Sequence, residues 1–156
     1  RGCLTIKSSN PQFIVMSAPL KEHLVLEHVL GEVRTRRELS RFNWKRLMDA
    51  FGDRFTRAWR MVTERRVKRY VFRPSGREIW IAVGNNAEYM IYPHAGYCSC
   101  SDFYFRVLDQ EVAVCYHVLA QRLAEALRHY DTVLEDDEAY HELMSIWKEY
   151  AVADMS

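Results

Sequence analysis

The stretch "YCSCSDFYFRVLDQEVAVCYH", residues 97–117, holds three of the chain's four cysteines and ends on a histidine. Cys98 and Cys100 form a Cys-x-Cys pair, Cys115 and His117 form a Cys-x-His pair, and 14 residues separate the two pairs. Structural zinc is held by four Cys or His ligands in a tetrahedron, with Zn–S distances of about 2.3 Å. The spacing therefore predicts one structural Zn²⁺ per chain, bound by these four side chains.

The backbone around each pair follows from the same spacing. Residues i and i+2 of an extended segment point to one side, whereas in a helix they lie about 200° apart. We therefore expect Cys98 and Cys100 at a strand end or turn, Cys115 just before a helix, and His117 in its first turn. Four ligands leave no open position for a catalytic metal. The alternative, free buried cysteines beside a surface histidine, is disfavoured because paired motifs seldom arise by chance.

Length and composition set the frame for this site. The chain has 156 residues, a length that suits one compact domain. Its formal net charge is +1. The expected fold is α+β, with a helical basic segment at 1–66, a three-stranded antiparallel β-meander plus a ββα-like zinc module at 67–130, and an acidic C-terminal helix at 131–156. No run reaches the roughly 20 apolar residues of a membrane helix. The clustered cysteines predict a reducing, intracellular compartment, cytoplasmic or, in a eukaryote, nuclear.

Hydrophobic periodicity and turn residues predict the individual elements. The predicted strands cover residues 12–18, 67–73, 78–84 and 88–93. The predicted helices cover residues 20–32, 35–51, 53–63, 114–130 and 136–151. A capping box from Thr35 to Glu38 is predicted to open the second helix, and Gly52 to end it. The residues predicted to face inward from the first two helices are Leu20, Leu24, Leu30, Leu39, Phe42, Leu47 and Phe51.

The charges are unevenly distributed along the chain. Residues 34–77 hold fifteen Lys or Arg and four acidic residues, while the remainder holds seven basic and seventeen acidic residues. This asymmetry predicts a polyanion-facing segment on an acidic body; the alternative is that these arginines only line solvated helix faces. The predicted nucleic-acid contacts are Arg54, Arg57, Arg60, Arg65, Arg66 and Lys68.

The ligand pattern resembles the SWIM zinc finger, a small ββα element associated with DNA or protein binding. The blocks "FGDRFTRAWRMV", "VFRPSGREIWIAVG", "YCSCSDFYFRVL" and "CYHVLAQRLAEAL" are similar to the small SWIM subunit of the Shu recombination-mediator complex, over about residues 47–128. Ala120 completes the family's extended Cys-x-His-x-x-Ala pattern. Two positions depart from it: Ser101 stands where Pro is common, and Tyr116 stands where a basic residue is common. The second departure removes a positive charge near the metal.

The resemblance implies an accessory protein of homologous recombination and DNA repair, without catalytic activity. It would pair with a RecA/RadA-type recombinase paralogue and bind DNA without sequence specificity. Single-stranded DNA is the favoured nucleic acid, and RNA is the alternative. We expect the partner on the helix after His117 and on the final helix, at Ala120, Tyr140, Trp147 and Tyr150. The alternative is that these aromatic residues only close the protein's own core.

Two other functional classes compete with this one: a general nucleic-acid-binding module and an enzyme. Three helices followed by a hairpin resemble a winged helix, and a general nucleic-acid module of this kind would bind structured RNA, including rRNA, or duplex DNA. An enzyme is disfavoured, since no Gly-rich phosphate loop, carboxylate cluster or nucleophile–histidine pair stands out. Among the aromatic residues of the zinc module, Phe103 and Phe105 are predicted to be core, and Tyr104 and Tyr116 exposed.

Overall fold

The computed structural model describes residues 16–156, which form an α+β fold with helices at both ends and a five-stranded mixed sheet. The predicted fold class is confirmed. The helices are α1 (Ala18–Arg36), α2 (Arg41–Phe51), α3 (Asp53–Thr63), α4 (Tyr116–Leu127) and α5 (Tyr140–Met155). The strands are β1 (Val67–Arg73), β2 (Glu78–Val83), β3 (Glu88–Tyr92), β4 (Tyr97–Cys98) and β5 (Asp131–Asp136). No helix within residues 16–156 is long and apolar enough to cross a membrane.

The sheet has the strand order β4-β3-β2-β1-β5. Strands β1 to β4 pair antiparallel in sequence order, which confirms the predicted meander and extends it by the short β4. Strand β5 pairs parallel with β1 and lies at the edge of the described sheet. The predicted acidic C-terminal segment at 131–156 was expected to be helical only, whereas it opens with β5, and its helix begins at Tyr140 rather than near residue 136. Strand β5 forms because β1 offers it a free edge, which no local pattern reveals.

The boundary between the first two helices differs from the prediction. Helix α1 continues past Gly31 to Arg36, and Arg37 ends it in a left-handed conformation with φ of 59°. The Thr35 hydroxyl donates to the Gly31 carbonyl oxygen at 3.2 Å, as it would inside a helix. Ser40 is the N-cap of α2, its side chain accepting from the Asn43 N–H. The predicted capping box at Thr35 is therefore wrong, since Ser40 performs that role five residues later.

Two of the inward-facing predictions are also wrong in α1, and one in α2. Leu20 and Leu24 are 47% and 52% exposed, and Phe42 is 69% exposed. The buried stripe of α1 runs through Glu22, Leu26, Val29, Leu30 and Val33. These residues have the spacing of one helix face, but the first of them is charged. A prediction from apolar residues alone therefore places Leu20 and Leu24 on the buried face in place of Glu22. The predicted strand at residues 12–18 lies mostly outside the described residues, and Ala18 belongs to α1.

The sheet separates two hydrophobic clusters. One face packs with α1 to α4 and with the buried cysteines of the zinc motif. The other face, through Phe72, Ile79, Ile81 and Met90, packs against Trp147 of α5. The Trp147 indole donates to a Glu88 carboxylate oxygen on β3 at 2.7 Å. Strand β5 and helix α5, both from the predicted C-terminal part, thus contact the meander directly.

Candidate metal centre and the surrounding surface

The four motif residues lie where their spacing predicts. Cys98 ends β4, which pairs with β3, and Cys100 follows two residues later. Ser99 between them donates its N–H to the Met90 carbonyl at 3.0 Å and accepts from the Met90 N–H at 2.9 Å. Cys115 is the N-cap of α4, and His117 lies in the first turn of that helix. The sheet and α4 therefore each present one ligand pair.

These residues form one buried cluster. One sulfur or ring nitrogen from each residue lies within 4.8 Å of those of the other three. Zinc–sulfur bonds of about 2.3 Å in a regular tetrahedron place the ligand atoms about 3.8 Å apart. All four side chains are almost fully buried. The cluster has the size and composition of a closed, structural zinc site.

The imidazole of His117 shows that the residues fit a metal. Both ring nitrogens are buried and have no hydrogen-bond partner within residues 16–156. A buried polar atom without a partner is costly and rare in folded proteins. Three buried thiols beside it, at Cys98, Cys100 and Cys115, form no disulfide. A zinc ion bound to one imidazole nitrogen and three sulfurs would give a partner to one of the two ring nitrogens and to all three thiols.

The pKa values of the Cys98 and Cys115 thiols are shifted in opposite directions. Burial raises the pKa of the Cys98 thiol well above its ordinary value. Hydrogen bonds from the Cys100 and Cys98 thiols, assisted by backbone N–H groups at the start of α4, hold the pKa of Cys115 well below its ordinary value. Thiolates are the species that bind zinc. Of these two ligands, Cys115 is therefore the one whose thiolate the fold favours.

Helix α5 contacts residues 101–114, which join the two ligand pairs and are called the zinc loop below, through Asp154. One carboxylate oxygen of Asp154 accepts from the Ser101 N–H at 2.6 Å, and the other accepts from the Tyr89 hydroxyl at 3.1 Å. Burial, together with the Asp154 carboxylate, raises the pKa of Tyr89, so this hydroxyl remains a donor. Proline lacks a backbone N–H, so this contact depends on a residue other than proline at position 101.

A buried ion pair supports the segment before Cys115. The Arg54 guanidinium binds the Glu22 carboxylate, and these side chains are only 15% and 10% exposed. Arg54 also donates to the Val114 carbonyl at 3.0 Å, and Glu22 accepts from the Ala113 N–H at 2.8 Å. Arg54 thus uses several of its donors inside the protein, and its role as a nucleic-acid contact stays a prediction. Sequence reasoning missed Glu22, whose signal is its place four residues before Leu26 on the buried stripe of α1.

The other predicted basic contacts divide into two groups. Arg65 and Lys68 both bind Asp131 of β5. Arg57, Arg60 and Arg66 line one groove of about 420 Å³, together with Tyr116 of the zinc module. The structure thus brings three of the six predicted residues together, places two at the β1–β5 edge, and holds Arg54 in the ion pair with Glu22.

The predicted partner residues lie deeper than expected. Ala120 and Trp147 are fully buried in this chain's own core, so neither offers a surface to a partner, and that part of the prediction is wrong. Tyr140 and Tyr150 are half-buried against the cluster around Trp147. Phe105 was predicted to be core but is 54% exposed, because residues 103–107 form a π-helical turn at the surface.

Comparison with known proteins supports the zinc assignment. The chain is 33% identical over 89 residues to a Dictyostelium discoideum protein named "Zinc finger SWIM domain-containing protein 7 homolog". That match covers 55% of this chain and 57% of the Dictyostelium protein, so the chain spans a little over half of that relative. An uncharacterized protein of Archaeoglobus fulgidus is 28% identical over 90 residues, covering 58% of this chain and 70% of that protein. No family model and no solved structure matches the chain.

Proposed function

We propose that this chain is a zinc-binding accessory protein of homologous recombination and DNA repair, which pairs with a RecA/RadA-type paralogue and binds DNA without sequence specificity. The observation that carries the proposal is the buried four-ligand cluster, in a chain similar to a SWIM zinc finger protein. The proposed protein has no catalytic activity of its own. Its contribution is to hold surfaces in place for DNA and for the partner.

Bound zinc would supply a fixed tetrahedral junction between the sheet and α4. Cys98 and Cys100 attach this junction to β4, and Cys115 and His117 attach it to the start of α4. Residues 101–114 between the pairs then form a loop fixed at both ends. This loop presents Tyr104, Phe105 and Leu108, each more than half exposed. Exposed apolar side chains of this kind suit a protein partner better than the buried Ala120 and Trp147 do.

A second candidate function follows from the groove lined by Arg57, Arg60 and Arg66. This basic surface does not require a recombinase partner to act. A general nucleic-acid module would use it to hold structured RNA, including rRNA, or duplex DNA through phosphate contacts. The two candidates therefore share a nucleic-acid surface and differ in the partner protein.

The partner decides between these functions. Each RecA/RadA paralogue of the source organism would be co-expressed with the tagged chain and analysed by size-exclusion chromatography. A Phe105→Asp variant tests the exposed zinc loop, and an Arg128→Asp variant at an exposed site serves as the control. A stable complex that Phe105→Asp disrupts supports the recombination function. If no paralogue binds and the chain instead purifies with ribosomal proteins from its host, the general nucleic-acid function replaces it.

A further inference from the structure

A row of neighbouring planar groups runs from the candidate zinc ligand His117 to the surface of α3. The His117 ring lies 4.3 Å from the ring of Tyr89 and 4.0 Å from that of Tyr116, measured between centroids. The guanidinium carbon of Arg57 lies over the Tyr116 ring, 5.5 Å from its centroid. The Tyr116 ring therefore lies against both Arg57 and the candidate metal ligand His117. The positive charge that the sequence lacks at position 116 is supplied here from α3.

Arg57 and Tyr116 lie at the junction of two neighbouring hollows. The first, of about 420 Å³, continues to Arg60 and Arg66. The second, of about 520 Å³, continues to Arg106 of the zinc loop. Because the hollows share two lining residues, they adjoin each other, and we name the pair the arginine groove. Its defining residues are Arg57, Arg60, Arg66, Arg106 and Tyr116.

The acidic neighbours of the groove do not block a phosphate. Arg57 pairs with Asp53 at 3.1 Å, but these side chains are 62% and 80% exposed. Arg66 pairs with Glu64, and Arg106 pairs with Asp102 and Glu111, in partly exposed surface contacts. Exposed ion pairs contribute little to stability, so an incoming phosphate displaces such an acid at little cost. Arg60 forms no ion pair within the described residues, so its charge is already available.

We propose that the arginine groove binds the phosphodiester backbone of a single-stranded nucleic acid, with Arg57 positioned for phosphate by Tyr116 of the zinc module. This inference rests on the proposed function and adds the site, the strand type and the link to zinc. Basic grooves that track a backbone beside aromatic rings are typical of single-strand binding, and the two adjoining hollows place Tyr116 between arginines in this way.

The first test compares two arginines of the same basic segment. The zinc-loaded full chain would be titrated against a labelled oligothymidylate by fluorescence anisotropy at several salt concentrations. Arg57→Gln should weaken binding by about three- to tenfold and reduce the slope of log affinity against log salt by about 0.7, the value for one phosphate of a single strand. The control is Arg73→Gln, since Arg73 is exposed at the far end of β1 and lies outside the groove. It should leave that slope unchanged.

The second test separates charge from positioning. Tyr116→Phe keeps the ring beneath Arg57 and should bind as wild type does, while Tyr116→Leu should bind severalfold more weakly at an unchanged zinc content. Arg57→Lys keeps the charge but loses the planar guanidinium, so it should bind more weakly than wild type. If the Leu variant loses zinc, the Arg57→Lys comparison decides the question.

The possible failures are distinguishable. If wild type binds single strands but Arg57→Gln behaves as Arg73→Gln does, or Arg57→Lys as wild type does, the groove inference is wrong and the proposed function stands. Tighter binding of duplex DNA or RNA through these residues overturns the choice of a single strand. If wild type binds no nucleic acid, the inference and the nucleic-acid part of the proposed function fall together.

Discussion

Replacing Cys115 with Ser tests whether zinc holds this fold together. Cys115 is fully buried, is the N-cap of α4, and has its sulfur beside those of Cys98 and Cys100. A serine hydroxyl stays protonated at neutral pH and is a poor zinc ligand. The substitution therefore removes one of four ligands at the point where the sheet and α4 are joined.

The expected cost is large compared with the stability of a domain. Structural zinc binding contributes on the order of 10 kcal/mol in finger peptides, and whole domains are stable by about 5–15 kcal/mol. Eight of the 12 residues of α4 are buried, mostly against α1, α3 and the sheet. Loss of zinc should thus disorder α4 and expose part of the larger hydrophobic cluster. We expect Cys115→Ser to lose helix content and cooperative thermal unfolding together.

The measurement combines metal analysis with circular dichroism. Wild type should carry one equivalent of zinc, and a strong chelator should give it the spectrum of the Cys115→Ser variant. Cys3→Ser is the matched control, because Cys3 belongs to neither the Cys-x-Cys nor the Cys-x-His pair of the sequence, and its replacement should change neither zinc content nor helix content. A Cys115→Ser protein with wild-type helicity and melting temperature, or folded wild type with less than half an equivalent of zinc, would refute the structural role of the metal.

Three further predictions concern the surroundings of the site. Arg54→Ala leaves Glu22 buried without its partner and should lower the free energy of unfolding by about 3 kcal/mol, measured by urea denaturation. Asp154→Ala removes the acceptor of two hydrogen bonds at the zinc loop, which should cost about 1–3 kcal/mol and speed zinc loss to a chelator; an unchanged rate would contradict this. The hydrogen bond from Lys68 lowers the pKa of Asp131, so its stabilisation is present at neutral pH and lost as pH falls below about 4. The stability difference between wild type and Asp131→Asn should shrink over that acid range, and a constant difference would contradict the contact.

The parts of the molecule that sequence predicted correctly depend on short-range chemistry. The zinc ligands are specified by spacing, because a Cys-x-Cys pair and a Cys-x-His pair each fit one backbone conformation. The meander follows from short turns such as the one at residues 74–77, where each strand pairs with the next in the chain. Strand β5 escaped prediction because its partner β1 lies about 60 residues earlier. Its first residue, Asp131, binds Lys68 across the strands, a contact that only the fold reveals.

Charged side chains were the main source of error in the site. A sequence places Arg54 on a polar face with its neighbours, since charges are usually solvated. Only the fold shows that Glu22 reaches it from α1 and that both bind the backbone before Cys115. The boundary of α1 was missed for a different reason: Thr35 and Ser40 are both good caps, and the left-handed conformation of Arg37 selects the second.

The zinc site is a junction of the whole described fold rather than an isolated finger. Arg54 and Glu22 bring α3 and α1 to the segment before Cys115, and Asp154 brings α5 to the segment after Cys100. The Tyr116 ring lies between His117 of the cluster and Arg57 at the surface, and it contacts both. A ligand bound at the arginine groove and a metal bound at the cluster should therefore stabilise each other, because both restrict the same ring and the same helix start. This reciprocity predicts slower zinc release when the groove is filled with oligonucleotide. Such a link would let a metal bound at the cluster govern how firmly the protein holds a nucleic acid.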